Sequence, residues 1–416
     1  MTKSEYMSLL EKSLEQFDKE LQREIMEDYR QHFAEGEKQG RSEEEIIEEL
    51  GNIEEMIQEL SEMAGKSGPD STNSTDNSDS IDSSDSSALE SSENNKSTAY
   101  PGNYKAIEIN CDEAAIDLQP SEDGSIHVYY KNNGSDNIKH CYSFYQYEKD
   151  NVFYTGVKRK QGGRSLLERI AMTANGHKST IRLEVKIPKG FKQLSYNTSS
   201  GNVSICGLEV GALEGNTASG NMELEGLKVN SLDFNTASGD VRVSMLEAES
   251  VSGNTASGDL KLKAMKVNRL ELNTASGDMS VKAVQVWEGT FSTSSGDIAG
   301  RGLKGNEIAC ETASGSIAIT LEAGTCRCSS SSGDIAVRSQ GQDMCLDVNT
   351  VSGNISVDME SSGGVEANVA VRSGDVNVFW DGQRQTGTGK GTFRLGGGSC
   401  KVNVRSNTGD VSIAAQ

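Results

Sequence analysis

A Ser-Gly pair returns along this chain at a fixed step of nineteen residues, its serine falling at Ser200, Ser219, Ser238, Ser257, Ser276, Ser295 and Ser314. It recurs at Ser332, Ser352 and Ser373 with steps of eighteen, twenty and twenty-one. A period this short is the mark of a solenoid, because each copy is too small to bury a core alone. Aligning the copies exposes apolar columns. One runs Val203, Met222, Val241, Leu260, Met279, Ile298, Ile317, and two residues on comes Ile205, Leu224, Val243, Leu262, Val281, with Gly300 as a gap. A third runs from Leu208 through Leu227, Leu246, Met265 and Val284 to Leu303, and polar or charged residues occupy most positions between the columns. Alternation with period two means short strands with alternate side chains inward. The expected fold is therefore mainly β: a single-stranded parallel β-solenoid of about 19 residues per coil over residues 191–416. Ten or so coils at about 4.8 Å each would make a rod of roughly 50 Å.

The repeat carries a hexapeptide, Asn-Thr-Ala-Ser-Gly-Asp at 235–240 and in near copies elsewhere. Counting inward positions around the coil predicts an inward threonine column (Thr217, Thr236, Thr255, Thr274, Thr293, Thr312) and places the serines in the next inward column. The glycine is read as supplying a backbone angle that other residues resist. The last position holds Asp240, Asp259, Asp278, Asp297, Asp334 and Asp375, but also Asn202, Asn221, Asn354 and Ser316. Charge needed for calcium or for acid-base chemistry would not tolerate those exchanges, whereas a short acceptor that caps a turn would. Neighbouring carboxylates such as Asp259 and Asp278 approach the spacing of a retaining glycosidase pair, about 5 Å. Every coil repeats the arrangement without a distinguishing basic or imidazole group, so an enzyme is disfavoured. The sequence calls for no cofactor and no metal.

Charge divides the chain. Residues 1–65 hold 19 acidic and 7 basic side chains within a net charge of −22, which repels nucleic-acid phosphates and anionic surfaces. No stretch reads as a signal peptide or membrane span, giving a cytoplasmic expectation with reduced cysteines. The eight cysteines are read as buried filler, with Cys310 and Cys328 at equivalent inward sites of adjacent coils.

Residues 1–63 read as three or four short helices. One stripe carries Tyr6, Leu9, Leu10, Leu14 and Phe17, another Leu21, Ile25, Tyr29 and Phe33. Ser42 with Glu45 forms a capping box for a further helix, and Asn52 with Glu55 opens another after Gly51. His32 is read as a surface or half-buried residue, not a catalytic one. The stretch EDYRQHFAEGEKQGRSEEEIIEELG resembles the helical signalling domain HAAS, and that resemblance implies a bacterial regulatory protein working with a PadR-type winged-helix repressor. Residues 64–98 are Ser/Asp-rich and too poor in large apolar groups to order, so they read as a linker.

Residues 99–190 read as an irregular β capping region covering an open strand edge, with strand-like runs at 126–130, 141–147 and 181–187. Within it a basic stretch offers Lys158, Arg159, Lys160, Arg164 and Arg169 as an interaction surface. The bland reading is a solvated loop; the sharper one is contact with an anionic membrane or with the acidic head. The run IRLEVKIPKGFKQLSYNTSSGNVSI leading into the repeats resembles the bacterial family labelled putative adhesin, also called Toastrack. That resemblance implies the solenoid and, joined to the head, a role in cell-envelope stress signalling, with no catalytic residues to carry over. The leading expectation is a non-enzymatic signalling scaffold whose head docks a regulator and whose solenoid binds a protein or self-associates. A surface adhesin is the alternative, and a β-helix carbohydrate enzyme ranks below it.

Overall fold

The computed structural model describes residues 2–17, 19, 22–23, 25–26, 29–30, 33, 41–50, 53, 57, 95–133, 141–160, 181–340, 344–360, 364–380, 383–395, 398 and 400–415. The serine-rich run expected as a linker lies, up to residue 94, outside the described residues, as do His32, Gly51, Asn52 and Glu55. Two compact units divide the chain, one built mainly on its first 87 residues and one on the strands.

In the first unit α1 (Lys3–Ser13) opens on a capping box that sequence reading missed. Thr2 accepts from the Glu5 backbone N–H, and the Glu5 carboxylate accepts from the Thr2 backbone N–H. These bonds hold the Glu5 carboxyl below its usual range. The predicted box at Ser42 and Glu45 is present ahead of α2 (Glu43–Leu50), with Ser42 N–H to Glu45 Oε2 at 2.8 Å and Glu45 N–H to Ser42 Oγ at 3.3 Å. Each box satisfies backbone donors that a helix start leaves unpaired. Tyr6, Leu10, Leu14, Ile25, Tyr29, Phe33 and Ile46 are buried together, with the Tyr6 ring stacked on Tyr29 at 6.0 Å and edge-on to Phe33 at 6.1 Å. Leu9, placed on the apolar stripe from sequence, is instead exposed. The stripe of a short helix is narrower than the run of leucines.

The second unit is the solenoid, mainly β and dominated by parallel pairing. Val241–Thr255, Leu260–Thr274, Met279–Thr293 and Ile298–Thr312 each pair with the next in register, residue i against residue i+19. All three predicted apolar columns are buried, Val243 and Leu224 among them. Each coil turns at two places with their own backbone requirements. Gly207, Gly226 and Gly302 adopt positive φ at one of them, and in the same column so do Met245, Ala264 and Ala283, with φ of 52° to 53°.

The other turn is the Thr-Ala-Ser-Gly corner. Thr217 Oγ1 accepts from the Gly220 backbone N–H at 3.0 Å, and the same bond recurs at Thr236, Thr255, Thr274, Thr293 and Thr312. The threonines are buried as expected. The serines are not: Ser219, Ser238 and Ser257 are exposed, and the glycine after each is the inward residue. At the bend two successive residues point out, so counting by two slips by one. The glycine supplies a positive φ, as read from sequence, at Gly353 and Gly374, but its role differs in the regular coils. Gly220, Gly239 and Gly258 are absent from the positive-φ residues, but a Cβ on any of them would collide with the backbone carbonyl of the glycine one coil before. Close approach of backbones, not a turn angle, requires glycine here.

Simple serial stacking fails at both ends. Ala106–Cys111 lies between Val152–Arg159 and Phe191–Thr198, all parallel, so the earliest of these strands is the middle one in space. At the far end Cys400–Thr408 lies between Cys345–Ser352 and Val365–Trp380. Antiparallel strands then cover the stack: Tyr142–Lys149 on Val152–Arg159, Ile126–Asn132 on Ile181–Ile187, and Gln383–Leu395 on Val365–Trp380. A late strand drawn back into the stack lets a hairpin, instead of a bare coil, face solvent.

Four substitutions check this packing by thermal or chemical denaturation. Val243→Asp buries an unpartnered carboxylate and costs several kcal/mol, while Arg242→Ala, outward beside it, costs at most about 1 kcal/mol; equal losses would refute the inward assignment. Gly258→Ala forces two coils apart and costs about 1–3 kcal/mol. Ala264→Gly relieves an αL side chain at the price of chain entropy and stabilises by about 0.5–1 kcal/mol.

Candidate functional site

Along the Thr-Ala-Ser-Gly corner runs a groove of about 820 Å³. Its geometry follows from the repeat. The asparagine that precedes each corner threonine points outward, and successive copies bond to one another: Asn197 Nδ2 to Asn110 Oδ1, Asn216 to Asn197, Asn235 to Asn216, Asn254 to Asn235 and Asn273 to Asn254, all at 2.9–3.1 Å. Asn197, Asn216, Asn235 and Asn254 thereby each use one N–H and one lone pair along the ladder and keep one of each for a ligand, while Asn273 donates also to Glu271. Ala218, Ala237, Ala256 and Ala275 form the facing apolar row, and the threonine column lies between. Sequence reading passed over this ladder. Its signal was the first letter of the hexapeptide, which shares the nineteen-residue step.

On the far side of the corner the Asp/Asn column does a structural job. Its side-chain oxygen accepts from the backbone N–H of the same position one coil on: Asp240 N–H to Asn221, Asp259 N–H to Asp240, Asp278 N–H to Asp259, Asp297 N–H to Asp278, at 2.9–3.1 Å. The shared requirement for a short acceptor explains why Asp and Asn interchange. The bond joins coils, however, and does not cap the turn in which it sits. The Asp278 N–H, with Lys261 at 3.1 Å, holds the Asp259 carboxyl below its usual range.

The basic residues singled out from sequence divide. Lys158 lines one end of the groove, with its ammonium 5.1 Å from the centroid of the Tyr145 ring. Arg159 is engaged locally: its backbone N–H donates to Asp112 at 2.7 Å and its guanidinium to Glu113 at 3.4 Å. Lys160 is exposed, its backbone N–H donating to the Cys141 carbonyl. Arg164 and Arg169, with the whole run 161–180, lie outside the described residues. Of the three described, Lys158 and Lys160 are exposed and Arg159 is half-buried. Cys310 and Cys328 are paired in register and buried, between Phe291 and Val348 as predicted; the neighbouring thiols and burial push the Cys328 thiol well above its usual range. Cys206 and Cys345 depart from the filler reading, since both are exposed.

An amide ladder facing an apolar row along a parallel β-solenoid is the most regular surface of the second unit. The chain belongs to the Toastrack DUF4097 family, which matches residues 104–268 and 247–414; HAAS matches residues 5–59. Among solved structures, a putative adhesin from Bacteroides fragilis is similar at 12% identity, over 77% of this chain and 97% of that one, with a TM-score of 0.26. A putative adhesin from Parabacteroides distasonis is similar at 13% identity, over 77% and 96%, with a TM-score of 0.30. A putative cell adhesion protein from Clostridium sporogenes shows 10% identity over 77% and 100%, with a TM-score of 0.17. None of the curated proteins matches this chain.

Replacing Asp259 and Asp278 together by Asn retains both inter-coil acceptors. The double variant is expected to melt within a few degrees of the parent, and equally with calcium or EDTA. The depressed Asp259 carboxyl adds stability that is present above its ordinary range near pH 4 and lost as pH falls through its lower folded value. The variant should therefore flatten the acid limb of the stability curve, as followed by circular dichroism.

Proposed function

We propose that this chain is a non-enzymatic scaffold in which the helical head docks a PadR-type regulator and the solenoid groove holds an extended segment of a protein partner. The observation that carries the reading is the groove's chemistry. Its amides are held in a ladder from Asn110 to Asn273 with spare donors and acceptors on successive coils, a repeat suited to binding along a length and not to one reactive centre. The head supports the other half of the reading through its HAAS match and its two capped helix starts, which fix an acidic exposed end at Glu43 and Glu44. No helix among the described residues is long and apolar enough to cross a membrane. A working site beside a transcriptional regulator supports the reading of a cytoplasmic scaffold that reports on the state of the envelope.

Calorimetry with the full chain and a PadR-type repressor from the same organism tests the assignment. Glu43→Lys with Glu44→Lys should weaken binding at least tenfold, since rim charges set complementarity, while Asn216→Leu with Asn235→Leu in the groove leaves it unchanged. A repressor that ignores the full chain, or that loses affinity only with the groove variant, refutes the division of labour.

A further inference from the structure

One edge of the solenoid departs from the charge pattern of the rest. Elsewhere the outward columns alternate or pair: Glu209, Lys228, Glu247 and Lys266 stack with alternating sign, Arg242 meets Asp240, Lys261 meets Asp259, and Arg269 meets Glu288. Lys263, Lys282 and Arg301 instead stack directly on one another in consecutive coils. All three are exposed and have no ion pair among the described residues. Like charges in direct register are destabilising; Arg242 and Lys261 also stack, but each has an aspartate partner, which this stack lacks among the described residues.

Exposed apolar groups lie at this bend and at the next one along the coil, where Trp287 precedes Glu288. The three six-residue segments 263–268, 282–287 and 301–306 contain five Lys or Arg and no carboxylate. Trp287 is 67% exposed, and Met245, at the preceding positive-φ turn, is 53% exposed. Between the lysine stack and Lys266 a shallow depression of about 360 Å³ lies over Ala264 and Ala283. Around it, Glu247 stacks beside Lys266, and Lys304 is neutralised by Glu322 at 2.7 Å. The unopposed positive charge is therefore that of Lys263, Lys282 and Arg301.

We propose that this edge is a contact for an anionic lipid surface. The stacked cations and the headgroup-sized dip above the two alanines suit lipid phosphates, and Trp287 is placed to lie at headgroup depth, where an indole has both an apolar body and a polar N–H to satisfy. A protruding edge with its cations in a line fits a flat bilayer, whereas an acidic peptide would be better held by a cleft. This contact is independent of regulator docking by the head.

Vesicle flotation with the full chain, read together with tryptophan emission, tests it. The chain has two tryptophans, so Trp380→Phe leaves Trp287 as the reporter. Phosphatidylglycerol-containing vesicles should bind the protein and shift the emission to the blue, pure phosphatidylcholine vesicles should not, and salt should weaken the binding. Lys263→Gln, Lys282→Gln and Arg301→Gln together should reduce binding on the order of 100-fold, at roughly fivefold per charge, with the melting temperature kept or raised. Trp287→Ala should weaken binding without changing its salt dependence. The proposal is overturned by absence of binding at low salt, by a triple variant that binds as the parent does, or by loss on Lys158→Gln with Lys160→Gln instead. A blue shift produced by soluble polyglutamate alone would reassign the edge to an acidic peptide and equally overturn it.

Discussion

Backbone hydrogen bonds between successive coils set the terms for the rest of the solenoid. In a parallel ladder with a nineteen-residue step, every side chain lies about 4.8 Å from its own counterpart above and below. Each position is thereby judged against itself. Apolar columns gain a continuous core, and amide columns can bond end to end, as Asn197 through Asn273 do. Glycine columns let backbones approach where any Cβ would collide. A column of long like charges that cannot reach the next backbone has no such bond, and Glu209, Lys228, Glu247 and Lys266 alternate in sign.

That rule separates structural from functional features. The aspartates of the hexapeptide look like a cation site when read along the chain, but across the coils each carboxylate accepts a backbone N–H. Asp and Asn are equivalent in that task. The asparagine ladder is also structural, yet its spare donors and acceptors face a groove, so one column both closes the stack and offers a surface. The lysine and arginine stack fits neither role. It is the place where the column rule is broken without local compensation, and such conflicts are found where a surface serves something outside the fold.

The positive-φ turn shows how far a repeat can drift while its ladder persists. Gly207 and Gly226 meet the backbone requirement without strain, and Met245, Ala264 and Ala283 meet it with side chains in the left-handed region. The flanking strands hold these residues in place because each coil is bonded on both sides. Substitution at that turn places Met245 and the two alanines at the edge that also carries Lys263 and Lys282, so a departure from the ideal turn coincides with a departure from ideal charge.

The sequence by itself determined the coil, its nineteen-residue period, the apolar columns and the pairing of Cys310 with Cys328, because a strict period converts linear spacing into vertical contact. It likewise carried the Ser42 and Glu45 capping box, a purely local device. Tertiary structure decided the rest. Whether the serine or the glycine of the corner points inward depends on how the chain bends after the threonine, which period-two counting cannot see. The exchange of order at both ends, with Ala106–Cys111 and Cys400–Thr408 drawn inside the stack, depends on covering exposed edges and leaves no trace in the repeat. Arg159 illustrates the last gap: a basic run in sequence looks like one surface, but its Glu113 and Asp112 partners lie more than forty residues away, and only folding brings those charges together.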